Sequence, residues 1–394
     1  MLTRSIIPTL QRLAARFPVL AMTGSRQSGK TTLARAQFAD KPYVSLEDPV
    51  ERAFANEDPR GFLARFTQGA VFDEAQRWPD LFSHLQGMVD ADRRPGRFIL
   101  TGSQQFGLLA GVTQSLAGRV GMTRLLPLAA SEIPAVADRQ LSLDSLMLKG
   151  GYPALHTLPA EPADWFASYI ATYVERDIRQ VLNIQSLPTF QRFLRLCAGR
   201  SGQLLNLSAL SGEAGIAHST ARAWLSVLES SDLIFLLPPY HRNFGKRLVK
   251  TPKLYFLDVG LACWLLGIRS PDVLALHPSR GALFETWVVG EFVKGRFNLG
   301  LPADLYFWRD NNGLEADLVF EIANHLQPVE IKSGQTVTRD YVRAGQASGR
   351  FAGEAALPPW LIYGGNESCE RSGVRVIGWR DLPTAAVPPE PATQ

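Results

Sequence analysis

The stretch "PVLAMTGSRQSGKTTLARAQF" (Pro18–Phe38) constrains the fold more than any other. An apolar run ends in glycine, the segment "GSRQSGKT" fits the spacing G-x-x-x-x-G-K-[ST], and a helix-forming sequence begins at once. In that order, strand, glycine turn and helix let backbone N–H groups turn inward around phosphate oxygens. The helix N-terminus behind the turn adds a field that favours anions. The motif assigns Gly24, Ser25, Arg26, Gln27, Ser28, Gly29, Lys30, Thr31 and Thr32 to a nucleotide. Lys30 would reach the β- and γ-phosphates, and the Thr31 hydroxyl would ligate Mg²⁺. A chance glycine-rich turn is the competing reading, and the strand–loop–helix context argues against it.

Further apolar runs, "GAVFDEA" and "RFILTGS", alternate with helical segments, which predicts an α/β domain on a parallel sheet. Asp73 ends the first run and is expected to hold the water shell of Mg²⁺, while Glu74 is expected to polarise the attacking water. The second run ends near the phosphate loop in such a sheet. Ser103 or Gln104 would then sense the γ-phosphate, or Ser103 is an ordinary helix cap. Arg119, in "SLAGRVGM", is a candidate for stabilising transition-state charge, in cis or from a neighbouring subunit. Arg176 and Arg179 are rivals, and a surface arginine is the plain alternative.

A chain of 394 residues is long enough for two or three domains. Net charge is +4, which permits a nucleic-acid partner without requiring one. The 3 cysteines are scattered, which argues against zinc and suits a reducing cytosol. The N-terminal segment reads as an amphipathic helix rather than a signal peptide, and the apolar runs are too short to span a bilayer. A cytoplasmic chain with no membrane partner is therefore expected.

From Ser142 to Asp232 the pattern is helix-rich. Within it, a short helix (Leu207 to Gly215), a turn and a longer helix (Ser219 to Ser230) have the outline of a winged helix-turn-helix. The basic connection "HRNFGKRLVKTPK" follows, and His241, Arg242, Lys246, Arg247, Lys250 and Lys253 are candidates for contacts to DNA phosphates. The longer helix is poor in cations, with Arg222 its single Lys or Arg, and Trp224, Leu225 and Leu228 look like core. A packing module that relays nucleotide state is the alternative.

Farther on, "EADLVFEI" and "QPVEIKSG" read as two antiparallel strands that bring Asp317 near Glu330 and Lys332. In the preceding helix Glu285, Val288, Val289 and Phe292 share one face, so Glu285 points inward while Glu291 falls off the stripe. An inward carboxylate is costly unless paired or metal-bound. Glu285, Asp317 and Glu330 are therefore candidate Mg²⁺ ligands, with Lys332 to orient or deprotonate water. The alternative is an ion pair, for example Glu285 with Lys332.

Together "MTGSRQSGKTT", "VFDEAQRWPDLF", "FILTGSQQ", "SLAGR", "KLYFLDVGLACWLLG", "GALFETWVVGEF" and "FWRDNNGLEADLVFE…PVEIKSG" resemble a prokaryotic family that joins an AAA-type P-loop ATPase domain to a C-terminal domain of restriction-endonuclease-like fold. That C-terminal domain is usually described as of unknown function. The resemblance implies ATP binding over residues 1–135, a helical and winged-helix region over 136–245, a restriction-endonuclease-like domain over 246–382 and a disordered tail over 383–394. It also implies a PD-(D/E)xK signature, with Asp317 as the first acid, Glu330-Ile331-Lys332 as E-x-K and Glu285 as the helical acid. The usual proline is replaced by Ala316. Two functions compete: an ATPase that controls a DNA-directed Mg²⁺-dependent nuclease, and a nucleotide-gated DNA- or protein-binding switch without cleavage. A metabolic P-loop kinase is weaker, because no acceptor-substrate segment is found. Oligomeric state stays open.

Overall fold

Every residue of β1 (Val19–Thr23) is buried, as happens when both faces of a parallel sheet are covered. The computed structural model describes residues 2–102, 115–172, 186–240, 251–310, 313–350 and 353–387. β1 pairs in parallel with β4 (Phe98–Thr101) and β5 (Val120–Arg124). With β2 (Tyr43–Ser45) and β3 (Ala70–Asp73) the strand order is β2-β3-β4-β1-β5. Alternate residues take opposite faces. Val19, Ala21, Phe72 and Phe98 enter one apolar cluster, and Leu20, Met22, Val71 and Ile99 enter the other. The parallel α/β sheet expected from the sequence is present. α1 (Ile7–Ala14) precedes β1, and α2 (Lys30–Gln37) follows the phosphate loop.

The chain divides into two compact units. The first contains residues up to Pro127 together with Ser230–Asp232 and Phe297–Leu301, and the second contains the rest.

In the second unit α3 (Leu187–Ala198), β6 (Gln203–Leu204), α4 (Leu207–Ala214), α5 (His218–Ser230), β7 (Ile234–Leu237) and β8 (Lys253–Phe256) follow one another. β8 pairs antiparallel with both β6 and β7. Gly215, with φ of 73°, makes the left-handed turn between α4 and α5, a conformation that costs glycine no Cβ clash. Trp224 stands edge-on to Phe190 and Phe193, so the inner face of α5 is core.

The remaining sheet is mixed, with the order β13-β14-β12-β11-β10-β9. β9 (Tyr306–Arg309), β10 (Glu315–Ile322) and β11 (His325–Lys332) are antiparallel neighbours. β12 (Trp360–Tyr363) and β14 (Val374–Gly378) run parallel to β11, and β13 (Cys369–Arg371) closes the edge.

Helix α6 (Arg280–Asn298) carries Glu285. Glu291, expected off the inward stripe, is instead 2% exposed. It pairs with Lys294 at 2.9 Å and accepts the Ala130 N–H at 2.8 Å. The helix is covered on more than one side, so a single apolar stripe does not mark all of its inward positions. The expected tail also changes: Leu382–Ala385 form a helical turn, with Leu382 and Ala386 buried. Among the described residues no helix is long and apolar enough to cross a membrane.

Candidate functional site

The phosphate loop is built by close packing against β5. Gly24 has φ of 139°, and a Cβ there would lie 2.0 Å from the Leu125 carbonyl oxygen. Gly29 is also left-handed, with φ of 94°, where α2 begins. Arg4 braces the loop from outside, donating to the carbonyl oxygens of Ser28 and Leu126 at 2.7 Å each. No motif marks Arg4, which lies in the amphipathic leader to the first strand.

Lys30 Nζ turns back onto the loop, donating to the carbonyl oxygens of Gly24 at 2.9 Å and Ser25 at 2.8 Å. Burial lowers its pKa to about 8, against the opposing pull of the Glu74, Asp232 and Asp73 carboxylates. The hydroxyls of Ser25 and Ser28 are buried with no hydrogen-bond partner among the described residues. Each such group costs about 1–3 kcal/mol, and phosphate oxygens would satisfy both. The loop therefore fits the nucleotide that its motif implies.

Asp73 accepts from Thr31 Oγ1 at 2.8 Å, from the Tyr43 hydroxyl at 2.7 Å and from the Thr101 hydroxyl. The expected Thr31–Asp73 pair is thus brought together. Tyr43 and Thr101 were not expected, and short strands ending at one sheet edge give no sequence signal for such a meeting. Burial and then the Asp73 hydrogen bond raise the Tyr43 pKa to about 12. Glu74 takes a left-handed φ of 54° and accepts from Gln76 Nε2 at 2.5 Å.

Arg119 does not reach this loop in its own chain. It precedes β5, and its carbonyl accepts the Val19 N–H, at the sheet edge opposite the phosphate loop. Its guanidinium makes two bonds to Asp90, at 2.8 and 2.9 Å. The arginine at the phosphate-loop end of β5 is Arg124, paired in register with Thr23. Ser103, Gln104, Arg176, Arg179, His241, Arg242, Lys246, Arg247 and Lys250 lie outside the described residues.

The second candidate cluster lies on β8, α6, β10 and β11. Continuing the β10–β11 register by one pair sets Asp317 opposite Glu330. Asp317 Oδ2 accepts the Ile331 N–H at 2.8 Å. Lys332 Nζ is 2.5 Å from Glu330 Oε1 and 3.9 Å from Asp317 Oδ2. Glu285 joins them through a residue expected elsewhere. Lys253, assigned to the basic connection, is buried in β8. Its Nζ stands 2.6 Å from Glu315, 3.0 Å from Glu285 and 3.9 Å from Asp317. Tyr255 also donates to Glu285 at 2.5 Å.

Among the described residues no three carboxylate, imidazole or thiol groups are placed to hold a metal ion. The Lys253 ammonium stands among Glu285, Glu315 and Asp317 instead, and it is not free to meet DNA phosphates. The expected alternative, an ion pair, is the one observed, with Lys253 rather than Lys332 as the partner of Glu285. Negative charge remains in excess: burial and the Asp317 carboxylate raise the pKa values of Glu285 and Glu330 to about 7.

Comparison with known proteins finds an AAA domain over residues 16–134, a domain of unknown function (DUF8612) over 140–272 and a second (DUF4143) over 280–382. The uncharacterized proteins Mb2031c of Mycobacterium bovis and Rv2008c of Mycobacterium tuberculosis are each 34% identical over 337 residues, covering 84% of this chain and 74% of theirs. Among solved structures, the Walker-type ATPase paby2304 of Pyrococcus abyssi aligns at 15% identity and TM-score 0.46, over 66% of this chain and 94% of its own. AMPPCP-bound DnaA from Aquifex aeolicus aligns at 13% identity and TM-score 0.29, over 57% and 85%.

Proposed function

The chain belongs to the family of these two mycobacterial proteins, and from that premise we propose that its AAA domain works as an ATP-dependent switch whose partner is DNA. The two buried hydroxyls of Ser25 and Ser28, unpartnered among the described residues, in a loop where Lys30 is turned back on the loop's carbonyls, carry the ATP half of the reading. Lys30 would leave Gly24 and Ser25 for the phosphates. Thr31 and Asp73, already in contact, would hold Mg²⁺ with the nucleotide. When bound, the ion neutralises charge on the phosphate oxygens. Glu74 would orient the attacking water.

The DNA half rests on the outline of a winged helix-turn-helix in α3 to β8. The exposed positions of α5 are His218, Ser219, Arg222, Ala223 and Ser226, small and polar, with Glu229 half-buried at the end of the same stripe, which suits a groove-facing helix. The Lys253 contacts favour a switch over a nuclease, because the carboxylates that would hold a metal are occupied by an ammonium. The C-terminal domain keeps the restriction-endonuclease-like fold in this reading, with its acidic cluster acting as a structural ion-pair network.

Fluorescence anisotropy of labelled duplex DNA, with ATP–Mg²⁺ and with ADP–Mg²⁺, tests the reading. The affinity should differ between the two nucleotides in the wild type and not in Lys30→Ala. The same mixtures, run on linear, branched and single-stranded DNA, should show no cleavage. Mg²⁺-dependent cleavage that disappears in Lys332→Ala would replace the switch with a nuclease.

A further inference from the structure

We propose that Arg124 is the cation that meets the terminal phosphate of ATP, and that Asp232 holds it in reserve, so that ATP and Asp232 compete for one guanidinium. This deepens the nucleotide reading above and rests on it.

The argument begins with position. Arg124 is in register with Thr23, and the residue after Thr23 is the first glycine of the phosphate loop. The Leu125 carbonyl fills the space beside Gly24, and the Leu126 carbonyl shares Arg4 with Ser28. Residues 124–126 thus form one wall of the loop. Arg124 ends β5 on the phosphate side, whereas Arg119, the candidate from the sequence, precedes the strand at its other end.

The partner is unusual. Asp232 takes the left-handed region, with φ of 57°, a conformation that aspartate and asparagine enter more readily than other residues with a Cβ. Its side chain is 1% exposed, against 27% for that of Arg124. It accepts from Arg124 Nε at 2.5 Å, and the guanidinium also lies 4.9 Å from the centre of the Phe297 ring. Burial pushes the Asp232 pKa up, and the Arg124 and Lys30 cations pull it down. Asp232 therefore lies in the field of the phosphate-binding lysine as well as against Arg124, where an arriving anion is felt. A surface ion pair remote from the loop would have no such link.

A terminal phosphate entering beside Lys30 brings a second anion to the same cations. ADP lacks the γ-phosphate and leaves the Arg124–Asp232 pair intact. The segment Ser230–Asp232 belongs with the ATPase unit, while the chain on either side, α5 and β7, continues into the other. Release of Asp232 would pass nucleotide state along the backbone itself.

Isothermal titration of the full chain with ATP–Mg²⁺ and ADP–Mg²⁺, with circular dichroism to check folding, tests this. Asp232→Asn should tighten ATP about fivefold or more and change ADP by less than about twofold. Arg124→Ala should weaken ATP by about tenfold to a hundredfold, the span of a charged hydrogen bond, with ADP little affected. Arg124→Lys should recover part of that loss. The double variant Arg124→Ala with Asp232→Ala leaves no buried unmatched carboxylate, so it separates folding from binding and should show the same collapse of the ATP-to-ADP ratio. A folded double variant that keeps the wild-type ratio overturns the proposal, as does Asp232→Asn weakening ATP. A wild-type chain that binds neither nucleotide overturns the ATP reading itself, a different result from an unchanged ratio.

Discussion

Lys253 shows how much one residue decides. Its ammonium stands 2.6 Å from Glu315 and 3.0 Å from Glu285, and its side chain is 5% exposed. Removing one partner of a buried ion pair leaves the other charge uncompensated, at about 3–5 kcal/mol. Lys253→Met should lower the unfolding free energy by that order in urea titrations near pH 8. The loss should shrink near pH 5, where Glu285 and Glu330 can take up protons. Lys332→Met should cost less, because that side chain is 32% exposed. Lys30 makes a second residue-scale case. Burial holds its pKa at about 8, and phosphate binding favours the charged form. ATP affinity should therefore be steady below pH 7.5 and fall by up to about tenfold per pH unit above 8, a trend absent in Lys30→Arg. Affinities measured between pH 7 and pH 10 check it.

At the scale of the element, β10 and β11 carry a pH-sensitive seam. Glu285 and Glu330 have folded pKa values raised to about 7, against about 4.3 for a glutamate in an unfolded chain. The folded state binds more protons between those values. Its stabilisation by the neutral carboxyls is complete below about pH 4.3 and is lost as pH rises through about 7. Denaturation curves of the second unit should show stability falling from pH 5 to pH 8, by about 1–3 kcal/mol. Glu285→Gln should flatten that slope. The meeting of these strands was legible in the sequence: two apolar runs, a turn whose Ala323 and Asn324 both have positive φ, and a spacing that sets Asp317 against Glu330. The contribution of β8 was not legible, because Lys253 is surrounded by basic residues in sequence and its carboxylate partners come from helix and strands far along the chain. β1, β3 and β4 announced themselves as apolar runs beside phosphate-site residues. β5, "VGMTR", contains a glycine and alternates in burial, so it gave no comparable signal. Without the strand and its direction, nothing separated Arg119 at one end from Arg124 at the other.

At the scale of the whole molecule, the ATPase unit is not a continuous piece of chain. Thr9 Oγ1 donates to the Asn298 carbonyl at 2.8 Å, Arg12 Nη2 donates to the Leu299 carbonyl at 3.0 Å, and Arg124 is matched by Asp232. A boundary drawn along the continuous sequence, such as 1–135, cannot register these, since each partner lies at least a hundred residues away in sequence. The fragment 1–135 would lose both acceptors and the carboxylate together. Neutral hydrogen bonds contribute about 0.5–1.5 kcal/mol each and a charged one about 1.5–3, so the three together come to a few kcal/mol. For a unit of this size that corresponds to a fall of roughly 5–15 °C in Tm. The fragment should therefore melt below the ATP-responsive transition of the full chain, identified as the transition that ATP–Mg²⁺ raises by about 2.7 kcal/mol at a hundred times its Kd. Scanning calorimetry of both, with and without nucleotide, decides it. Equal transitions would mean that residues 230–232 and 297–301 accompany the ATPase unit without supporting it.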